Sequence, residues 1–231
     1  MPSADPLVAL AAVAQATERI RLLPSVTPLP RHRPHVLAWQ LACLDVLSGG
    51  RLVLGAGLGG VESEFAAFGE EAAAPRRAEM TDEALEVIAS LWSGEAVHHA
   101  GRHYRVDGVT LAPLPLQRPR PPIWIGGESI AALRRAARWD GWVSAGVGED
   151  GSMTRSPSEL ADLADRLRSA GAPLGAGFEV ALTGVSHGPG AVDPAAYAHA
   201  GLSWWLETLS PSFGDQRGML DRVRAGPPGD G

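Results

Sequence analysis

Lysine and asparagine are absent from this 231-residue chain, so all 20 of its basic residues are arginine. The missing primary amine excludes Schiff-base aldolase chemistry, a pyridoxal-phosphate lysine and a P-loop lysine. A single cysteine, Cys43, excludes a disulfide framework and a thiolate metal cluster. Its place in a helical pattern reads as a small buried hydrophobe rather than a nucleophile. No apolar run approaches the ~20 residues of a membrane span. No basic residue precedes Leu7–Val13, so no secretion signal is expected and the cytoplasm is the expected compartment. A net charge of -6 disfavours nucleic acid or an anionic membrane as partner.

What is present is a hydrophobic fraction of 45% with 20% charged residues, which suits one soluble domain, 1–225, with a sizeable core. The tail 226–231, Gly-Pro-Pro-Gly-Asp-Gly, has no reason to be ordered. The most informative stretch is Leu44–Gly60. Ser48-Gly49-Gly50 stops a helix, because glycine takes the left-handed backbone that closes a last turn. Arg51–Ala56 then reads as a strand covered on both faces. Gly55, Gly57, Gly59 and Gly60 bring bare backbone to the strand's C-terminal end, where α/β proteins bind ligands. Gly55, Gly57 and Gly60 match a dinucleotide fingerprint, but the second strand that it requires within ~30 residues is missing. Glycines that only let a helix pack closely on a strand are the plain alternative.

The rest of the chain alternates. Helices are expected at Asp5–Thr17, Pro34–Leu47, Glu62–Phe68, Pro75–Trp92, Ser129–Arg138, Ser156–Gly171, Asp193–His199 and Gln216–Arg224. Strands are expected at Arg21–Thr27, Arg51–Ala56, Ile123–Ile125, Gly141–Ala145, Phe178–Val185 and Ser203–Glu207, with a Gly- and Pro-rich excursion over 93–122. Such alternation implies a parallel sheet with helices on its faces. A closed (β/α) barrel needs eight strands and about 250 residues; six strands leave this chain two βα units short.

Several ordered motifs resemble the luciferase-like flavin-dependent monooxygenases and their deazaflavin (coenzyme F420) relatives. They are Arg19-Ile20-Arg21-Leu22 with Val26-Thr27-Pro28-Leu29-Pro30-Arg31-His32-Arg33-Pro34, Leu47-Ser48-Gly49-Gly50-Arg51-Leu52 with Gly55-Ala56-Gly57, and Asp82-Glu83-Ala84-Leu85 with Leu91-Trp92-Ser93-Gly94. Gly101-Arg102-His103-Tyr104, Pro121-Pro122-Ile123-Trp124-Ile125-Gly126-Gly127 and Ala136-Ala137-Arg138-Trp139-Asp140-Gly141-Trp142 complete the set. The resemblance implies a TIM (β/α)8-type barrel with an insertion before the fifth strand, here 93–122, and six strands equivalent to the third to eighth. The first two βα units are not represented, and with them the second-strand histidine that relatives often use.

The resemblance further implies a non-prolyl cis peptide at Pro24–Ser25, forming a bulge beneath a flavin ring, with Thr27 bonding the ring's polar edge. An ordinary strand end is the alternative. Gly57 and Gly59 would lie beneath or beside the ring. Gly126, Gly127, Glu128 and Ser129 would cradle the cofactor phosphate, since glycines before a helix start expose N–H groups; a plain helix cap is the alternative there. His98, His99 and His103 lack ligand spacing, so no metal is expected. Arg134, Arg135 and Arg138 read as a solvated helix face. The resulting expectation is an oxidoreductase using reduced FMN or coenzyme F420 on a small organic substrate, either oxygenating it or transferring a hydride, and working as a homodimer. A catalytically inactive barrel remnant, prone to aggregate or dimerise through open strand edges, is the rival.

Overall fold

The computed structural model describes residues 4–187, 191–211 and 214–226, so the expected disordered tail lies, beyond Gly226, outside the described residues. The chain divides into two compact units, Met1–Gly126 and Gly127–Gly231.

In the first unit, helix α1 (Pro6–Ala16) starts where the Asp5 carboxylate accepts the N–H groups of Leu7 and Val8, both at 3.0 Å. Strand β1 is only Thr27–Pro28, preceded by a bridge between Leu22 and Leu52. The expected strand Arg21–Thr27 is thus interrupted at its centre. Helix α2 (Pro34–Leu47) ends at Gly49 and Gly50, whose φ angles of 67° and 82° are the left-handed values expected of them. Strand β2 (Leu54–Gly57) lies parallel to β1, with Thr27 opposite Ala56 and Pro28 opposite Gly57. After α3 (Glu62–Ala66), helix α4 (Ala74–Leu91) buries Ala84, Val87, Ile88 and Leu91 of the stripe that its sequence period predicts, leaves Met80 of that stripe half-buried, and buries Leu85 as well.

The excursion 93–122 contains an antiparallel hairpin, β3 (Val97–Ala100) and β4 (Arg105–Val109). Its return is pinned by Asp45 of α2, which is fully buried and accepts the N–H groups of Leu116 (2.7 Å) and Gln117 (3.1 Å) and the Gln117 side-chain amide (2.7 Å). Strand β5 (Ile123–Gly126) then pairs in parallel with β2, giving the order β1-β2-β5.

The second unit has its own parallel strands in the order β6 (Gly141–Ser144), β7 (Glu179–Gly184), β8 (Trp204–Glu207). Between them run α5 (Ile130–Ala136), α6 (Pro157–Ser169) and α7 (Pro194–His199), and α8 (Gln216–Ala225) follows. A complete capping box, Ser156 with Glu159, starts α6 as its sequence predicts. Among the described residues, β1 pairs only with β2, and β8 only with β7. No helix among the described residues is long and apolar enough to cross a membrane.

Two local expectations are corrected. Cys43 is half-buried on α2 rather than enclosed, because it lines an open groove with Leu7, Val8 and Trp39. Arg135 is 6% exposed, since its position on α5 faces the strands while Arg134 and Arg138 face outward. Of the hairpin histidines, His98 bonds Asp107 of β4 at 3.2 Å, and the other two meet carboxylates of α4. His99 bonds Glu83 at 3.0 Å and His103 bonds Glu79 at 3.1 Å, which ties the hairpin to the helix. Burial pushes the Glu83 carboxyl upward, but bonds from His99 and from the N–H groups of Tyr104 and His103 outweigh it and hold it below its ordinary value. Among the described residues, no group of three such side chains could hold a metal ion.

Candidate functional site

The first unit gathers its glycines around one side chain. A Cβ on Gly57 would lie 2.7 Å from Val26 Cγ2, and one on Gly126 would lie 2.8 Å from Val26 Cγ1. Gly57 closes β2 and Gly126 closes the neighbouring parallel strand β5. Val26 therefore lies across the C-terminal ends of adjacent strands, and it remains 36% exposed. Any residue larger than glycine at either position would displace it. Gly55 answers a different contact, because its Cβ would fall 2.2 Å from the Pro24 carbonyl oxygen. Gly59, at φ 78°, leaves room for the Phe65 ring, 2.5 Å from where its Cβ would stand.

The non-prolyl cis peptide is Ser25–Val26, which corrects the expected Pro24–Ser25 by one residue. The motif locates the interruption of the strand, but only pairing of Thr27 with Ala56 sets the register. Pro24 is buried with its carbonyl toward Gly55, Ser25 is exposed, and Thr27 is buried at 7%.

The second unit holds the other expected segment. Gly127 has φ 109°, and its carbonyl accepts the Trp142 indole N–H at 2.7 Å. Ser129 caps α5, its hydroxyl oxygen accepting the Ala132 N–H at 3.1 Å. That matches the plain cap reading, while leaving the hydroxyl proton available to donate. The Glu128 carboxylate is bound by Arg155 Nη2 at 2.6 Å and by the Ser144 hydroxyl. Arg166 bonds the Glu128 carbonyl at 3.1 Å. Arg155 keeps its Nε buried and without a partner.

Sequence reasoning missed three features. Arg155 is one, and nothing in the local pattern singles it out. A second is Arg77, 2% exposed, whose Nε and Nη1 are buried without partners and whose guanidinium lies 4.1 Å from the centre of the Phe65 ring. Arg31 lies 4.2 Å from the same ring centre, so the phenyl ring sits in two cation–π contacts. An arginine inside an otherwise apolar helical stripe was the available signal. The third is a polar cluster at the ends of β7 and β8, where Glu207 holds Ser186, His187 and Trp205.

Parallel strands joined through helices define an α/β protein, of the kind that commonly binds ligands at the C-terminal ends of its strands. The description of the luciferase-like monooxygenases matches residues 1–198. The chain belongs to that family. An FMNH2-dependent dimethylsulfone monooxygenase of Pseudomonas putida is 34% identical over 132 residues, 57% of this chain and 36% of that protein. An F420-dependent glucose-6-phosphate dehydrogenase of Microbacterium testaceum (strain StLB037) is 39% identical over 130 residues, 56% of this chain and 38% of its own length. The matches thus span little more than a third of these curated relatives. An F420-dependent secondary alcohol dehydrogenase, solved in complex with an F420-acetone adduct, shares the fold at TM-score 0.76 and 19% identity, over 96% of this chain and 83% of that one.

Proposed function

We propose that this protein binds reduced FMN or coenzyme F420 and acts as a luciferase-like oxidoreductase on a small organic substrate. One observation carries the reading: Gly57 and Gly126, at the ends of neighbouring strands, both yield their side-chain space to the half-exposed Val26. A flat ring needs a smooth apolar support with no projecting side chains around it, and Val26 flanked by glycines supplies one. Thr27 offers a hydroxyl beside it. In the second unit, the Gly127 and Ser129 backbone and hydroxyl groups and the orphan Arg155 Nε are donors suited to a phosphate, with Glu128 already neutralised by Arg155.

When bound, either cofactor supplies hydride transfer, and the flavin also supplies oxygen activation. The chain's own residues support the ring, exclude water from beneath it and grip the phosphate. A relative named for each cofactor keeps both candidates open. On this reading the strands are the third to eighth of a (β/α)8-type barrel, the chain is one domain, and it pairs as a homodimer, which sedimentation would check.

The test is a fluorescence titration of the purified chain with FMN and, separately, with F420. Saturable quenching of one is expected, and riboflavin should bind more weakly than FMN by the phosphate's contribution. Absence of saturable binding for both cofactors would refute the proposal.

A further inference from the structure

In the first unit, the start of α2 and the β3–β4 hairpin meet at a cleft of about 110 Å³, lined by Arg33, Pro34 and His35 from the helix start and by His103, Tyr104 and Arg105 from the hairpin. That volume is well under the ~300 Å³ of a site for a drug-sized ligand. It leaves room for a group of a few heavy atoms and not for a ring cofactor. Glu79 and Glu83, the α4 carboxylates that tie the hairpin down, do not line the cleft. They are engaged elsewhere, Glu79 with Arg102 at 2.9 Å and His103 at 3.1 Å, and Glu83 with His99 at 3.0 Å.

Three observations make the cleft a place for an anion. Arg33 and Arg105 both line it, and among the described residues neither guanidinium has a bonded partner. The Tyr104 hydroxyl oxygen is buried and bonds no other group among those residues, which is rare in a folded chain unless a ligand or water completes it. Burial and the Glu83 carboxylate push the phenol up against the opposing pull of Arg33, so the hydroxyl keeps its proton and donates. Finally, α2 begins without a side-chain cap, so the N–H groups of its first turn have no side-chain acceptor. Every one of these groups is a donor or a cation, and no carboxylate answers them within the cleft.

We propose that this cleft binds a phosphate group, as the free ion or as the end of a phosphate monoester, held by Arg33 and Arg105 with the Tyr104 hydroxyl as a third donor. A tetrahedral phosphate presents oxygens in several directions and can accept from the helix start and the hairpin at once. A carboxylate presents two oxygens in one plane and would leave donors unmet. Bound there, the anion ties the hairpin to α2 as well as to α4. None of these residues belongs to the Val26 platform or to the Glu128–Arg155 pair, so the proposal stands or falls apart from the ring-binding reading.

The test uses the whole chain with inorganic phosphate as the probe, at neutral pH and with ionic strength held constant by sodium chloride. Phosphate should raise the melting temperature along a saturating curve, because a ligand that binds only the folded chain stabilises it by mass action. Arg155→Met combined with Glu128→Gln, which removes the phosphate-suited pair of the second unit, should retain that rise. In this background Arg33→Met and Arg105→Met, both at exposed positions, should each weaken binding by about tenfold. Together they should abolish it, and Tyr104→Phe should weaken it several-fold. Phenyl phosphate then tells the source: tighter binding than the inorganic ion assigns the cleft to a monoester, weaker binding to the free ion. A rise no larger than chloride gives, a rise that survives the paired arginine substitutions, or an equal response to acetate would each overturn the proposal.

Discussion

The strand ends of the two units are built in opposite ways. In the first, glycines clear a smooth apolar platform around Val26, with no charged side chain in those contacts. In the second, carboxylates are held by several donors each: Glu128 by Arg155 and Ser144, Glu207 by Ser186, Trp205 and His187. The first surface suits a large flat group held by dispersion and shape. The second suits anions and protons.

The largest effect is expected at Asp45, which anchors the return of the insertion. Asp45→Ala would leave the part-buried Leu116 and Gln117 donors without their shared acceptor, at about 1 kcal/mol each. The expected outcome is a loss of about 2–3 kcal/mol in denaturant unfolding, with release of the 93–122 segment to proteolysis. A change under ~1 kcal/mol would show that the insertion is not anchored there.

Gly57→Val and Gly126→Val come next. Each places its Cβ within 3 Å of Val26, costing about 1–3 kcal/mol as overpacking, and each should abolish saturable cofactor quenching while the chain still folds. Val26→Ala should weaken binding of FMN and riboflavin alike. Unchanged titrations would mean that the platform is packing alone.

The second unit should separate from the first through the phosphate. Arg155→Met combined with Glu128→Gln, which avoids leaving an unpaired charge, is expected to weaken FMN binding by roughly tenfold or more, at about 1.5–3 kcal/mol for a charge-assisted bond. Riboflavin binding should not change. Equal losses for both ligands would move the phosphate elsewhere.

The smallest effect is on acid stability. Glu83 in the first unit and Glu207 in the second both titrate below their ordinary value of 4.5 in the folded chain. The unfolded chain therefore binds more protons in the window just below that value. Their contribution is present above pH 4.5 and is lost as pH falls through the folded values. Chevron or melting data should show Glu207→Gln and Glu83→Gln flattening that acid-side slope; slopes unchanged in both variants would contradict the bonding described.

Much of this was legible in the chain itself. Asp5 and Ser156 as caps, the glycine stops at Gly49 and Gly50, the stripe of α4 and the order of strands all follow from local rules of backbone conformation and period. So did the glycine-lined strand ends, because a missing side chain is visible in a sequence wherever it occurs. What the sequence could not disclose was which atoms would fill the cleared space. That Val26 serves both Gly57 and Gly126, that the cis peptide is Ser25–Val26, and that Glu79 and Glu83 meet the hairpin histidines depend on the register between strands and on α4 crossing the hairpin. Glu207 and His187, 20 residues apart, carry no local mark at all. Periodicity and turn chemistry act over a few residues, whereas a polar cluster exists only once separate strand ends have been brought side by side.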